Sequence, residues 1–297
     1  MDSETIDRDP IALLPAGGIV VTYLDGHALF LSSLGAEFSH FVSALVPLGP
    51  ESNFVPSRDL AKVFGAVYAF QGSDVCAVVQ GNFDIDAIQR AADGHAMTPF
   101  GAPMVRSRYA ERDVFTVSNV GFVPITSHTA LVGSENGMRR ALDRLRFGKL
   151  ERSIPAEMTE LLSTQGAAIA AMADLRGQPI PPELAQQAAF VSGLKAVRVI
   201  GNLQPPGINI AGSITYADAA SAQNAAGALM GLKQMTQVLA MFQSAGFGRL
   251  ISGLQVSAQG GDVAFTLPTD DSILRMLLKA GGESMMAARK PATVTHR

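Results

Sequence analysis

Tryptophan is absent, Cys76 is the single cysteine, and charged residues make up only 16% of the 297-residue chain. A lone cysteine excludes an internal disulfide and a cysteine-based zinc cluster. Flanked by Val75, Ala77 and Val78, Cys76 reads as a small buried hydrophobe in mid-strand rather than a reactive thiol. No run reaches the roughly 18 uninterrupted apolar residues of a membrane helix, and no signal peptide is visible. The net charge of −3 gives no general attraction for nucleic acid. The densest basic cluster is local: Arg139, Arg140, Arg144, Arg146, Lys149 and Arg152. It reads first as the solvated side of a helix, and second as a contact for anionic lipid headgroups or an acidic partner.

The motifs of common chemistries are missing as well. His-x-x-x-His and His-Glu-x-x-His spacings do not occur, which argues against a helix-borne zinc site. Gly-x-Ser-x-Gly, a Gly-rich loop ending in Lys-Ser/Thr, and Gly-x-Gly-x-x-Gly are also absent. Gly133-Ser134-Glu135-Asn136-Gly137 has the look of a phosphate turn, but it lacks a lysine and reads as a capped helix start. No cofactor and no metal are expected.

What the chain does have is 47% hydrophobic residues, enough for a large core. It also has an internal echo. Leu60–Ala92 reads strand, turn, strand, helix, and the same order returns at Leu194–Ala226. Val75, Ala77, Val79, Gly81 and Phe83 share one strand face by period two, and Ile208, Ile210, Gly212, Ile214 and Tyr216 match them. Each strand then meets an acid, Asp84 or Asp218, and a helix carrying Gln-x-Ala-Ala. Flanking pieces follow in order. A strand ends at Asp25 in one half and at Asp174 in the other, and a hairpin turns at Glu111-Arg112-Asp113 or at Gly260-Gly261-Asp262. The expected fold is α+β, with duplicated strand-helix-hairpin-helix-hairpin-helix halves and mainly antiparallel sheets. The boundaries predicted are a disordered tether over residues 1–9, a first repeat over 10–150, a second over 151–281 and a polar tail over 282–297.

The candidate residues carry competing readings. Asp84 and Asp86 form an Asp-x-Asp that suits a divalent cation, yet the second copy has Ala220 in place of the second acid, and capping explains Asp84. Asp25 and Asp174, both at strand ends, suit a general base as well as a helix entry. A triad assembled in space from Ser and His is not decided by sequence. Two apolar helices offer the other route to function. Ala28–Leu48 carries Phe38 and Phe41, and Ala219–Ser244 carries Met230, Met235, Leu239, Met241 and Phe242. The face of the second is wider than one stripe, which fits either plain burial or the pliable wall of an apolar pocket, with the first helix as the opposite wall. Phe38, Phe41, Met235, Leu239 and Phe242 are the candidate ligand-binding residues.

The order Asp-Pro-Ile-Ala-Leu-Leu-Pro-Ala (9–16), a strand to Asp25, Pro56-Ser57-Arg58-Asp59, Gly133-Ser134-Glu135 and Arg-Ser-Ile-Pro (152–155) resembles envelope lipoprotein-like proteins of myxobacterial type. The likeness spans most of the chain and ties none of these motifs to a chemistry. It implies a periplasmic or outer-membrane-tethered protein, with a cytoplasmic location as the alternative. The leader and lipidated cysteine of such proteins are not in this sequence. The resulting expectation is a non-enzymatic, envelope-associated protein that binds an apolar small molecule, a lipid or a protein partner. The alternatives are a hydrolase or transferase using strand-end carboxylates, and a self-assembling structural component. Nucleic acid and a transmembrane segment are not expected, and the oligomeric state is open.

Overall fold

The computed structural model describes residues 3–43, 45–69, 74–148, 150–178, 191, 193–205, 207–239 and 251–279 apart from 277, with side chains of the 207–239 segment described to residue 234. Among them runs one antiparallel sheet of 12 strands. In chain order the strands are β1 (Val20–Asp25), β2 (Leu60–Ala69), β3 (Asp74–Gly81), β4 (Val105–Tyr109), β5 (Arg112–Val117), β6 (Val120–Pro124), β7 (Thr129–Gly133), β8 (Ile169–Asp174), β9 (Leu194–Gln204), β10 (Gly207–Tyr216), β11 (Gln255–Gln259) and β12 (Asp262–Asp270). Their order across the sheet is β11-β12-β10-β9-β8-β1-β2-β3-β7-β6-β5-β4. The fold is α+β.

The sheet has a seam at its centre. β1 pairs with β8, Val20 facing Ala173 and Leu24 facing Ile169. Outward from that seam the order is the same on both sides for five strands: β1-β2-β3-β7-β6 one way, β8-β9-β10-β12-β11 the other. The order is a property of the sheet and does not by itself establish that one unit was copied. It does correct the expected matching of hairpins. The position of β11–β12 is held in the first half by β6–β7, and β4–β5 extends the sheet beyond it. The sequence matched hairpins by their turns, whereas strand neighbours are set by long-range pairing.

Helices cover both faces unevenly. One face carries α1 (Ser3–Arg8), a 3-10 turn at Pro10–Leu13, α6 (Glu135–Phe147) and α7 (Ala156–Leu162). There Ile6, Leu13, Leu14, Met138, Leu142, Met158 and Leu162 pack on Val21, Phe64, Val78, Leu131, Ala170 and Met172. The other face carries α2 (Gly26–Leu31), α3 (Gly35–Ser43), α5 (Ile85–Asp93) and α8 (Ala219–Leu239), and the short α4 (Pro56–Asp59) leads into β2. Leu29, Phe38, Val42, Ile88 and Ala91 meet Leu60, Val79, Phe115 and Phe122 on this side. Successive strand residues point to opposite faces, so β1 sends Val21 and Tyr23 into one core and Leu24 into the other.

Two expectations change here. The continuous helix over 28–48 is two helices, broken where Ser32 turns its hydroxyl back to the Leu29 carbonyl. Such local side-chain bonds compete with the helical ladder. The free tether over residues 1–9 is instead docked from residue 3 on: Ile6 is 1% exposed, and the Asp7 carboxylate accepts from both Thr126 and Thr129 at 2.6 Å. A polar segment containing one well-placed isoleucine and an acid that accepts from two threonine hydroxyls gains apolar burial and hydrogen bonds by docking. The second-half helix expected at Pro182–Val191 and the tail at 282–297 lie outside the described residues, save Val191.

Candidate functional site

The enzyme reading needs the strand-end acids together. Asp25 caps α2, its carboxylate accepting from the Ala28 N–H at 2.9 Å. Asp84 caps α5 through the Ala87 N–H at 2.9 Å and also accepts from Asn53 Nδ2 at 3.1 Å. Those bonds, the backbone one foremost, hold its carboxyl below the usual carboxylate range. Asp174 is held low chiefly by Arg176, whose Nη2 donates to it at 2.6 Å. Asp218 receives the Ser221 N–H at 2.7 Å. Asp25 and Asp174 stand at opposite ends of the antiparallel β1/β8 pair, roughly 20 Å apart at about 3.3 Å per residue. Each of these acids therefore sits at a helix or turn start, and Asp25 and Asp174 do not share a cleft. Among the described residues no group of three or more His, Cys, Asp or Glu side chains is arranged to hold a metal.

A polar depression of about 400 Å³ does gather Asn53, Arg58, Asp59, Asn82, Asp84, Ser127 and His128. Asn53 there has a left-handed backbone, with φ of 54°. Asp59, 5% exposed, takes two bonds from Arg58, at 2.6 and 2.8 Å, and one from the Val55 N–H at 2.7 Å. Arg58 also reaches the Asn53 carbonyl at 2.5 Å, and His128 Nδ1 lies 3.2 Å from the Gly81 carbonyl. Each charged group is spent on a neighbour, so the cluster braces the loop before β2 against the end of β3 and the β6–β7 turn. Its chemistry is that of a structural clamp.

A different surface remains on the α8 side of the second half. Register puts Val197, Val199 and Leu203 of β9, Ile210 and Gly212 of β10, and Phe265 and Leu267 of β12 on one face. Among the described residues two helical elements cover that face at its ends. α8 runs back over β10, β12 and β11, where Ala222 and Ala225 pack on Tyr216, Val263, Val256 and Ala258. Residues 271–276 are helical, and Leu274 packs with Leu34 and Ile208. Arg275 of this segment is paired with Glu37 of α3, and Asp271 with Ser33. Between the two covers, Val197, Val199, Phe265 and Leu267 keep part of their surface exposed. Gly212 lies beneath Phe265, and a Cβ there would come to 2.7 Å of the ring. The result is an apolar strip of sheet floored by β9, β10 and β12.

The expected site residues stand in different relations to this strip. Phe38 is 2% exposed and fills the core, its ring 4.8 Å from that of Phe30 and 6.3 Å from that of Phe41. Phe41 is one turn past Glu37 and keeps some exposure. α8 extends towards the strip, because Lys233 Nζ donates to the Leu254 carbonyl at 2.7 Å, beside the strand pair Gln255–Thr266. Met235 and Leu239 belong to the last turns of α8, but their side chains lie outside the described residues, as does Phe242 entirely. Reading from sequence missed Val199, Phe265 and Leu267. The signal was present in the alternation Val197-x-Val199-x-Gly201-x-Leu203, which marks one strand face, but nothing in it says that this face is left half covered.

The face opposite the strip mixes polar residues with Ile200, Ala211, Ala264 and Pro268. Arg198, Asn202, Thr266, Gln255, Ser257 and Gln259 are exposed there. Among the described residues no helix is long and apolar enough to cross a membrane. No family model matches the chain, and no curated protein matches it. Solved structures do. The chain is similar to crystal form I of TP0453 at 10% identity and a TM-score of 0.56, covering 92% of this chain and 97% of that one. Forms IV and III give TM-scores of 0.54 and 0.53 at the same 10% identity, covering 90% and 91% of this chain and 95% and 97% of theirs. The likeness extends over nearly the whole of both chains, and what it shows is that they share this fold.

Proposed function

We propose that the chain is a non-enzymatic, envelope-associated protein that holds an apolar ligand of lipid-like chemistry on the strip between α8 and residues 271–276. The observation that carries the reading is the strip itself: Val197, Val199, Phe265 and Leu267 form an apolar floor that, among the described residues, neither cover closes. Apolar surface left partly in water between two polar-rimmed elements is what a lipid chain seeks, at about 25 cal/mol per Å² buried. Phe41, Met235, Leu239 and Phe242 are the proposed wall, and Phe38 backs Phe41 from the core. Met in such a wall adapts to chains of differing shape. The envelope placement rests on the sequence resemblance, and fractionation of cells carrying the tagged full-length protein tests it. An apolar protein segment is the second reading of the strip, supported by the same half-covered floor.

The test is native mass spectrometry of the purified chain after incubation with total lipid extract, alongside uptake of a fluorescent fatty acid. Wild type is expected to carry added lipid mass and to take up the probe. Leu267→Asp is expected to weaken uptake at least tenfold with a small change in melting temperature, because the side chain already meets water and a carboxylate there stays hydrated. Wild type with no added mass and no uptake ends the lipid reading. Displacement of the probe only by a protein fraction favours the second one.

A further inference from the structure

We propose that the chain forms a two-fold dimer through β11, whose outer edge pairs antiparallel with β11 of a second copy about Ser257. β11 ends the sheet, and among the described residues only β12 pairs with it. An unpaired edge strand is a template for another strand unless something blunts it. The two edges of this sheet differ in that respect. β4, at the far end, reads Val-Arg-Ser-Arg-Tyr. Antiparallel self-pairing about Ser107 would set Arg106 against the Arg108 of a second copy, and like charges directly opposite are destabilising. β11 reads Gln-Val-Ser-Ala-Gln and has no charge to oppose itself.

The β11 sequence is also close to a palindrome. Pairing about Ser257 sets Gln255 opposite Gln259, Val256 opposite Ala258, and Ser257 opposite itself, so each face meets its own kind. The backbone is in phase with this. β11 joins β12 by the two-residue turn Gly260-Gly261, with Gly260 at φ of +58°, so Gln259–Asp262 is the closing hydrogen-bonded pair. Alternation then directs the N–H and C=O groups of Ser257 towards β12, and those of Val256 and Ala258 outwards. Val256 and Ala258 are the residues that face each other across the proposed axis, and each such pair exchanges two bonds. The helix packed on this edge continues the uncharged surface. Ala220, Gln223, Asn224, Gly227, Met230 and Gln234 are exposed on α8, and Lys233 is its one charged residue. A second copy is the occupant that supplies a matching uncharged strand and a matching helix at once, as a two-fold interface requires.

A five-residue edge with flanking helix surface falls at the small end of specific interfaces, below about 1,200 Å². Association is therefore read at high concentration, by sedimentation equilibrium of the full chain up to about 500 µM, where micromolar affinities are resolved. Wild type is expected to approach twice 31.1 kDa. Ser257 is exposed and meets its own copy in the closer, non-hydrogen-bonded type of pair, at about 4.5 Å between Cα atoms. Ser257→Lys and Ser257→Glu are each expected to lose the dimer with an unchanged melting temperature. An equimolar mixture of the two is expected to recover it. A monomeric wild type, a Ser257→Lys dimer of undiminished affinity, or a mixture that stays monomeric overturns the proposal.

Discussion

At the residue scale, the polar side chains act mainly as local fasteners, and this sets what pH and reagents should do. Cys76 is 1% exposed, and burial pushes its thiol up to about 12. A thiolate is the reactive form, so Ellman's reagent should label none of it in the folded protein and all of it in urea. Labelling under native conditions at the unfolded rate would contradict the burial. Asp84 gives a pH prediction with a definite sign. Its folded pKa lies below the ordinary 3.8, so its contribution to stability is complete above that value and is lost as pH falls through the lower folded one. Asp84→Asn should therefore melt below wild type at pH 6, by a margin that shrinks as the pH is taken below 3.8. Asp84 was legible as a cap from sequence, because an acid just before an apolar-periodic run has a local explanation. The Arg58–Asp59 clamp was not, since its neighbours Asn82 and His128 come from the end of β3 and the β6–β7 turn, distant in sequence.

At the element scale, helix propensity and sheet contact compete, and two glycines separate them. Gly137 lies in α6, where a Cβ would overlap the Val75 carbonyl, whereas Gly227 in α8 has nothing within 4 Å of its added Cβ. Alanine favours a helix over glycine by about 1 kcal/mol. At Gly227 that gain stands alone, so Gly227→Ala should stabilise by about 0.5–1 kcal/mol. At Gly137 it opposes a collision with main chain that only a shift of α6 off β3 relieves, and Gly137→Ala should cost about 1–3 kcal/mol net. Urea unfolding of both variants checks the pair, and a stabilised Gly137→Ala would refute the close packing of α6. The elements themselves were largely readable: β1, β3, α5, the Ser134-capped α6 and the β11–β12 hairpin fall within a few residues of their expected places. The break between α2 and α3 was not readable, because Phe30, Phe38 and Phe41 keep nearly helical spacing across it.

At the scale of the whole molecule, the amino-terminal segment joins parts that are far apart in sequence. Ile6 enters the core that also holds Leu131 and Met158, Asp9 pairs with Arg152 at 2.9 Å, and the Leu14 carbonyl accepts from Ser153. Ile6→Ala should consequently cost about 2–5 kcal/mol in urea unfolding, as for a core isoleucine. A loss near zero would return residues 1–9 to the role of a free tether. Composition, lone-cysteine chemistry, strand periodicity and helix caps are local or additive properties, and the sequence alone determined them, with the α+β class that follows. Tertiary structure decided the rest: that β1 and β8 form the seam of one sheet, that β6–β7 rather than β4–β5 flanks β3, that Asp25 and Asp174 stand at opposite ends of their strand pair, and that the face bearing Val199, Phe265 and Leu267 is half covered among the described residues. Those outcomes depend on pairings between residues distant in sequence, some fifty positions for Gly212 and Phe265 and more than a hundred and fifty for Val20 and Ala173. Alternation tells which side of a strand is apolar, but only the assembled sheet decides what, if anything, lies on it.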